Sequence, residues 1–441
     1  MRVSNKKMNS NNGWMTTNSE KEADDQESQK KTITINRRST LQAIGAGGII
    51  PFFSIKSAEA TSHSTAPATE WSQLFDKNNG KERFDALVQA PDGGFTLVGS
   101  TEQVGAARDA ALIVKTDENG IQEWNQTFGG TFSDERSFAD IASVPCTGYA
   151  IVGERTYFDE DPPFRGEASP SNAWFLQTDY SGTSQVNKEY NEGVLSISPH
   201  SIVRESNGDF TVAGSLLDLI AGDIGDSGWL QKMDANGEQL WEKNYSGPGR
   251  FQESYFNAHV QSSDCGYVMA GETDYPPRGW LLKTDADGTE QWQQTFGTAT
   301  EQTYTFADLA RSTDGGYVLA GTTTPFYGYS DGWLVKVDAN GSKEWEHTIF
   351  ESGETSFSSI TRTTDGGFVI AGTVDRPDRF SDGLVVKTDA TGTVEWKQRF
   401  GAECEFAQLH AIIQTQDGGY AAAGMRRVCP GSWDGWILKL K

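Results

Sequence analysis

The chain has 441 residues, of which 37 are basic and 61 acidic, for a formal net charge of −24. Like-charge repulsion sets such a surface against nucleic acid and anionic membranes. Four cysteines occur without any C-x-x-C spacing, so a zinc or redox motif is not indicated.

Residues 1–36 are polar and biased in composition, without an apolar period, and are expected to be disordered. Met8 and Met15 are alternative starts. Arg37-Arg38, a short glycine-rich apolar stretch from Leu41 to Ile55 and Ala58-Glu59-Ala60 follow in that order. Paired arginines, a weak apolar region and a small-x-small site resemble a twin-arginine export signal cleaved after Ala60. The apolar stretch is too short to anchor the chain in a membrane. The exported part would begin at Thr61, with residues 61–69 as a linker. Residues 1–60 hold nine of the basic and six of the acidic side chains, so the remainder carries −27. That acidity is read either as solvation in a salty medium or as a cation-binding surface, and its spread along the chain favours the first.

From residue 70 onward one unit recurs. Between Phe306 and Phe350 it reads as four strands, Phe306 to Arg311, Tyr317 to Gly321, Gly332 to Val337 and Lys343 to Phe350. Asp314-Gly315-Gly316 and Asp338-Ala339-Asn340-Gly341 supply the turns, since glycine and asparagine tolerate positive φ. The second strand is apolar without alternation, which suits a strand covered on both faces. The aromatic after the first turn marks seven copies, at Phe95, Tyr149, Phe210, Tyr267, Tyr317, Phe368 and Tyr420. Fourth-strand tryptophans keep the same beat at Trp124, Trp241, Trp292, Trp345 and Trp396, with Val186 in the second copy, and are read as packing between units. A period near 50 with four strands per unit predicts a β-propeller.

The seventh copy lacks a fourth strand, yet Glu70-Trp71-Ser72-Gln73-Leu74-Phe75 matches Glu395-Trp396-Lys397-Gln398-Arg399-Phe400. The prediction is therefore an all-β, seven-bladed β-propeller of four-stranded antiparallel blades, the last closed by the N-terminal strand. The propeller spans 70–441, with blades at about 84–128, 138–190, 198–245, 256–296, 306–350, 357–400 and 407–441 plus 70–75.

The segments Asp117 to Gly120, Asp234 to Gly237, Asp285 to Gly288 and Asp338 to Gly341 look like the opening of a calcium loop. They return straight into a strand without the later ligands, so they are turn chemistry. His200, His259 and His410 fall in first strands near the axis, but no carboxylate partner is fixed, and no metal site is assigned. Cys404 and Cys429 share the last blade and one face, so a disulfide between them is expected in an exported protein. Cys146 and Cys265 lie in turns on the opposite face, two blades apart.

The loops between second and third strands break the repeat. Tyr157, Phe158, Arg165, Phe326, Tyr327, Arg379 and Trp433 fall there, all on one expected face. Exposed aromatics beside arginine give flat apolar stacking together with hydrogen bonds, which suits a glycan or protein ligand.

The unit D-G-G-[YF]-x-[VL]-[AV]-G-[ST]-T … D-[GA]-[WL]-[LIV]-x-K-x-D-x-x-G-x-x-x-W resembles repeats of exported β-propeller proteins of archaea and bacteria. Its Lys283 to Trp292 portion is also similar to the tryptophan-docking repeat of quinoprotein dehydrogenases. That second resemblance implies a pyrroloquinoline quinone cofactor. The chain departs from it, with seven units in place of the usual eight and no vicinal cysteine pair, so the fold carries over and the cofactor does not. The turns also resemble the Asp-box of sialidases, a structural motif, and no arginine triad can be assigned. The function expected is that of an exported, non-enzymatic binding module, monomeric, with no cofactor, no nucleic-acid partner and no insertion in a membrane. Catalytic residues are unassigned. The alternative is a secreted enzyme, either a polysaccharide-active hydrolase or a quinone-dependent oxidoreductase.

Overall fold

The computed structural model describes residues 65–77, 80–102, 108–158, 170–191, 196–220, 223–248, 253–273, 277–298 and 302–441. Arg37, Arg38, Ala60 and Arg165 lie outside them. Contacts group Thr61–Lys441 as one compact unit. The described residues form 28 strands and no helix, arranged in four-stranded antiparallel sheets. The first strands of these sheets are β2 (Lys81–Gln89), β6 (Asp134–Val144), β10 (Ser196–Arg204), β14 (Ser254–Gln261), β18 (Gln302–Arg311), β22 (Glu354–Arg362) and β26 (Glu405–Gln414). All seven start two to four residues ahead of the expected blade starts. The apolar run that signalled each of them begins in mid-strand, after a polar stretch that the sequence pattern does not mark. Single parallel bridges link neighbouring sheets, from Ser171 to Ser196, Asp226 to Glu253 and Ser381 to Phe406.

One sheet shows why these residues form these strands. In β19 (Tyr317–Pro325) and β20 (Asp331–Val337), Tyr317 to Gly321 and Gly332 to Val337 are all buried. Strands covered on both faces need no alternation, which accounts for their continuous apolar runs. Trp333 stacks on Phe306 with ring centroids 4.6 Å apart, as Trp174 does on Phe138 and Trp280 on Phe256. Gly332 is required by close approach, because a Cβ there would lie 2.6 Å from the Phe357 ring of the next sheet.

The repeated turns have a specific chemistry. Asp338 Oδ1 accepts the amides of Asn340 at 2.9 Å and Ser342 at 2.8 Å, and Gly341 takes φ 81°. Beside that turn the fully buried end of Lys336 donates to Glu344 at 2.7 Å and to the Val337 carbonyl at 3.1 Å, and pairs with Asp314 at 2.9 Å. Lys115, Lys387 and Lys439 repeat this arrangement with their own Asp and Glu partners. Three acceptors offset the desolvation of each buried ammonium. The second sheet differs, since Gln177 stands where lysine does elsewhere and bonds the Ala235 carbonyl.

Four of the fourth-strand tryptophans are half-buried and Trp396 is buried; Trp241, Trp292 and Trp345 each cover the turn glycine of the following sheet, at Gly288, Gly341 and Gly392. The fully buried tryptophans are those of the third strands, Trp174, Trp229, Trp280, Trp333 and Trp436.

At the N-terminal side β1 (Thr69–Phe75) pairs antiparallel with β28 (Asp434–Leu440). Trp436 Nε1 donates to Ser72 Oγ at 2.8 Å, and Lys439 pairs with Glu70. Trp71 covers Gly120, and Phe75 lies edge-on to Phe84 with centroids 5.5 Å apart.

Candidate functional site

Each first strand carries a β-bulge at the same place, and the bulged residues are Asp85, Ala139, His200, Asn257, Ala307, Ser358 and His410. A bulge re-aims a side chain out of the pleat. Here all seven positions line one cavity of about 230 Å3. His200 Nδ1 lies 2.7 Å from the Phe256 carbonyl, Asn257 Nδ2 donates to the Phe306 carbonyl at 2.8 Å, and His410 Nδ1 lies 2.9 Å from the Phe84 carbonyl. The first two contacts tie one first strand to the next in sequence, and the third ties the last first strand to β2.

The residue after the bulge does the same work from the side. Asp308 Oδ1 accepts the amide of Leu309 at 2.7 Å, and its Oδ2 accepts that of Ile360 at 2.8 Å. Asp140 takes the amides of Ile141 and Ile202, both at 2.8 Å. Burial pushes these carboxyls up, Asp140 to about 7 and Asp308 to about 6, against the pull of the amides they accept. Such values suit acid–base chemistry. Yet all four oxygens are committed to backbone N–H groups, so these carboxylates act as latches between strands. Sequence reasoning missed them. The signal was present in Phe138-Ala139-Asp140-Ile141-Ala142 and Phe306-Ala307-Asp308-Leu309-Ala310, two nearly identical pentapeptides in different repeats.

Of the three first-strand histidines, His200 and His410 reach the cavity wall and His259 does not. His259 is buried between Thr211 Oγ1 and Ser201 Oγ, each at 3.0 Å, and burial lowers it to about 3. It is a neutral core histidine.

The loop residues fall into separate groups. Phe326 and Tyr327 lie edge to face at 4.7 Å and are 66% and 87% exposed. Trp433 belongs to a half-buried cluster with Phe406 at 5.6 Å, and Phe380 lies 5.0 Å from Phe406. The Arg427 guanidinium sits 4.6 Å over Phe406 and 5.8 Å over Trp433. Tyr157 lies under Arg155 at 4.4 Å, and Phe158 under Arg108 at 3.0 Å. Arg379 is exposed in a turn at φ 71°. Trp433 and Tyr157 are therefore held by their own neighbourhoods, while Phe326 and Tyr327 stand free of the core. Arg427, Phe380 and Phe406 complete the Trp433 cluster.

Cys404 and Cys429 are both free, as are Cys146 and Cys265, so the expected bond is not formed in this structure. The Cys429 sulfur instead lies 3.9 Å from Arg427 Nη2. Cys265 takes φ 65° at the turn position where Gly315 takes 91° in the fifth repeat.

No protein-family model matches the chain, and no curated protein matches it. Among solved structures, a puromycin hydrolase is similar over 82% of this chain and 52% of its own, at 12% identity and a TM-score of 0.51. A protein of unknown function from Dyadobacter fermentans matches over 70% of this chain and 96% of its own, at 11% identity and a TM-score of 0.49. BBS1N, solved in complex with ARL6DN, matches over 85% and 97%, at 9% identity and a TM-score of 0.47. The likeness to the hydrolase is one of fold, and it defines the chain as a β-propeller-like all-β protein.

Proposed function

We propose that the chain is an exported, non-enzymatic, seven-bladed β-propeller that binds a glycan or protein ligand at its loop end. Closure of the ring by β1 is supported by contacts between the first and last sheets that repeat those between consecutive sheets. His410 meets the Phe84 carbonyl as Asn257 meets that of Phe306. Gly435 approaches Phe84 as Gly332 approaches Phe357, and the Glu82 amide donates to the Trp433 carbonyl at 2.9 Å. Export follows from Arg37-Arg38 and cleavage after Ala60, and the monomer meets its ligand outside the cell. Replacing both arginines by lysine is expected to retain the precursor in the cytoplasm. Normal secretion of that variant would remove the export reading.

One observation carries the binding reading. Among the described residues, Phe326 and Tyr327 are a contacting aromatic pair with both rings exposed, and they sit on a loop that breaks the repeat. Exposed apolar area of this kind costs solubility unless a partner covers it. A hydrolase in the inner cavity is the weaker reading, because every oxygen of Asp140 and Asp308 already accepts a backbone N–H that ties neighbouring strands. A glycan array and a surface-protein panel, probed with wild type and with Phe326→Ala/Tyr327→Ala, test the proposal. Binding that the double variant loses at least tenfold is expected. Equal binding by both proteins would refute it.

A further inference from the structure

Where β1, β2 and β28 meet, three carboxylates come together, two of them six residues apart and the third more than 350 residues further on. Asp76 follows β1, Glu82 lies in β2 and Asp434 opens β28, and one ligand oxygen from each falls within 4.8 Å of the others. Glu82 is only 1% exposed. Its Oε1 accepts from Thr101 Oγ1 at 2.8 Å and the backbone N–H of Lys77 also favours the carboxylate, while Oε2 is buried without a well-formed hydrogen bond. A buried carboxylate oxygen left unpaired is costly, and native proteins resolve that cost with a partner or an ion. The cation nearest in sequence does not fill the role: Lys77 Nζ donates to Asn125 Oδ1 at 3.1 Å and reaches Thr127 Oγ1 at 3.5 Å. Asp434 Oδ1 takes a hydrogen bond from Ser432 at 2.9 Å, which orients its carboxylate.

We propose that Asp76, Glu82 and Asp434 bind one calcium ion, which clamps the N-terminal strand to the first and last sheets. The donor set is oxygen only, which selects a hard cation. Three carboxylates clustered at this spacing suit calcium, which takes six to eight oxygens at roughly 2.3–2.6 Å, with water completing the shell. Magnesium keeps its waters and is held by one or two carboxylates in most sites. Burial first, then the neighbouring charges of Asp76 and Asp434, push the Glu82 carboxyl up to about 7. A bound dication reverses that logic and holds all three groups ionised. The acidic turns elsewhere do not compete, because Asp338 and its counterparts spend an oxygen on two amides.

The test uses the full chain after treatment with a chelator. Calcium is expected to raise the Tm by several degrees above a sodium control of equal ionic strength. Glu82→Gln should lose that rise and, without calcium, melt no lower than wild type, because the unpaired buried charge is gone. Glu118→Gln, on an exposed turn, should keep the full rise. Terbium luminescence excited through Trp433 gives a second readout and should fall as calcium displaces the ion, with Asp434→Asn silent. A calcium shift absent from wild type, or undiminished in both Glu82→Gln and Asp434→Asn, would overturn the site. An equal shift with magnesium in place of calcium would overturn the choice of ion.

Discussion

The two ends of each sheet are built on opposite rules. At the turn end the same contacts recur: a buried lysine between two carboxylates, an Asp that caps its own turn, and a tryptophan that covers the next glycine. At the loop end nothing recurs. One loop carries an exposed aromatic pair, another a tyrosine under an arginine, a third an aromatic cluster capped by Arg427. The turn end has one task, which is to hold neighbours together, so one solution recurs in four sheets and is varied in the others, where Lys232 keeps Glu205, Lys283 keeps Asp264 and Gln177 replaces the lysine. The loop end is free to differ, and only there can the surface discriminate among ligands.

The strongest way to break this contrast is to remove β1. Deletion of residues 69–75 strips Trp71 from Gly120, Phe75 from Phe84 and Ser72 from the Trp436 indole. Two half-buried aromatics, each toward the lower end of about 1.5–3 kcal/mol, and an orphaned donor at about 1–3 kcal/mol make a loss of about 4 kcal/mol or more. Chemical denaturation of the deletion variant at wild-type stability would show that β1 is not part of the packing.

The pH dependence separates the turn end from the inner cavity. Lys439, and then Thr415, hold Asp417 down at about 2. Such a carboxylate contributes stability that is complete above about pH 4 and is lost as pH falls toward 2. Asp140 and Asp308 are raised, so the folded state binds more protons than the unfolded one between about pH 4 and pH 6–7. Their contribution therefore falls as pH rises through that window. Asp308→Asn should flatten that fall by up to about 1.4 kcal/mol per pH unit at its steepest. Urea unfolding from pH 4 to 8 reads the slope directly, and an unchanged slope would show that Asp308 does not titrate there.

A smaller effect sharpens the rule for the turns. Cys265 holds a positive φ that glycine takes in the fifth repeat. Cys265→Gly is expected to stabilise by about 0.5–1 kcal/mol, because a side chain in that conformation is strained. A lower Tm in the variant would mean that Cys265 is packed in a way its exposed position does not suggest.

Much of the sheet architecture could be read from the amino acids, because turn glycines, turn aspartates and continuous apolar strands are local features that repeat. The strand matching Glu70 to Phe75 was legible for the same reason: its Glu and Trp stand where Glu395 and Trp396 stand. The bulges were not legible. A bulge is one extra residue in a strand, and only the partner's register reveals it, so Asp85, His200 and His410 could not be assigned to a common wall. The acidic group of Asp76, Glu82 and Asp434 was hidden for a related reason, since Asp434 lies at the far end of the sequence from the other two and its place in the repeated Asp-Gly-Trp segment reads as structural. The loop aromatics were found, but their separate packing was not, because Arg427 over Phe406 and Arg155 over Tyr157 depend on tertiary placement.

The most direct measurement takes the Phe326→Ala/Tyr327→Ala variant and follows its melting temperature and its Kd for the best array ligand together. Both rings lie outside the core clusters, so truncating them should leave the Tm within about 2 °C, the shift expected for a surface change of at most about 0.5 kcal/mol. The Kd should rise at least tenfold, as for anchors that contribute about 1–3 kcal/mol. A large fall in Tm with an unchanged Kd would contradict the account, because it would place these rings among the residues that hold the molecule together.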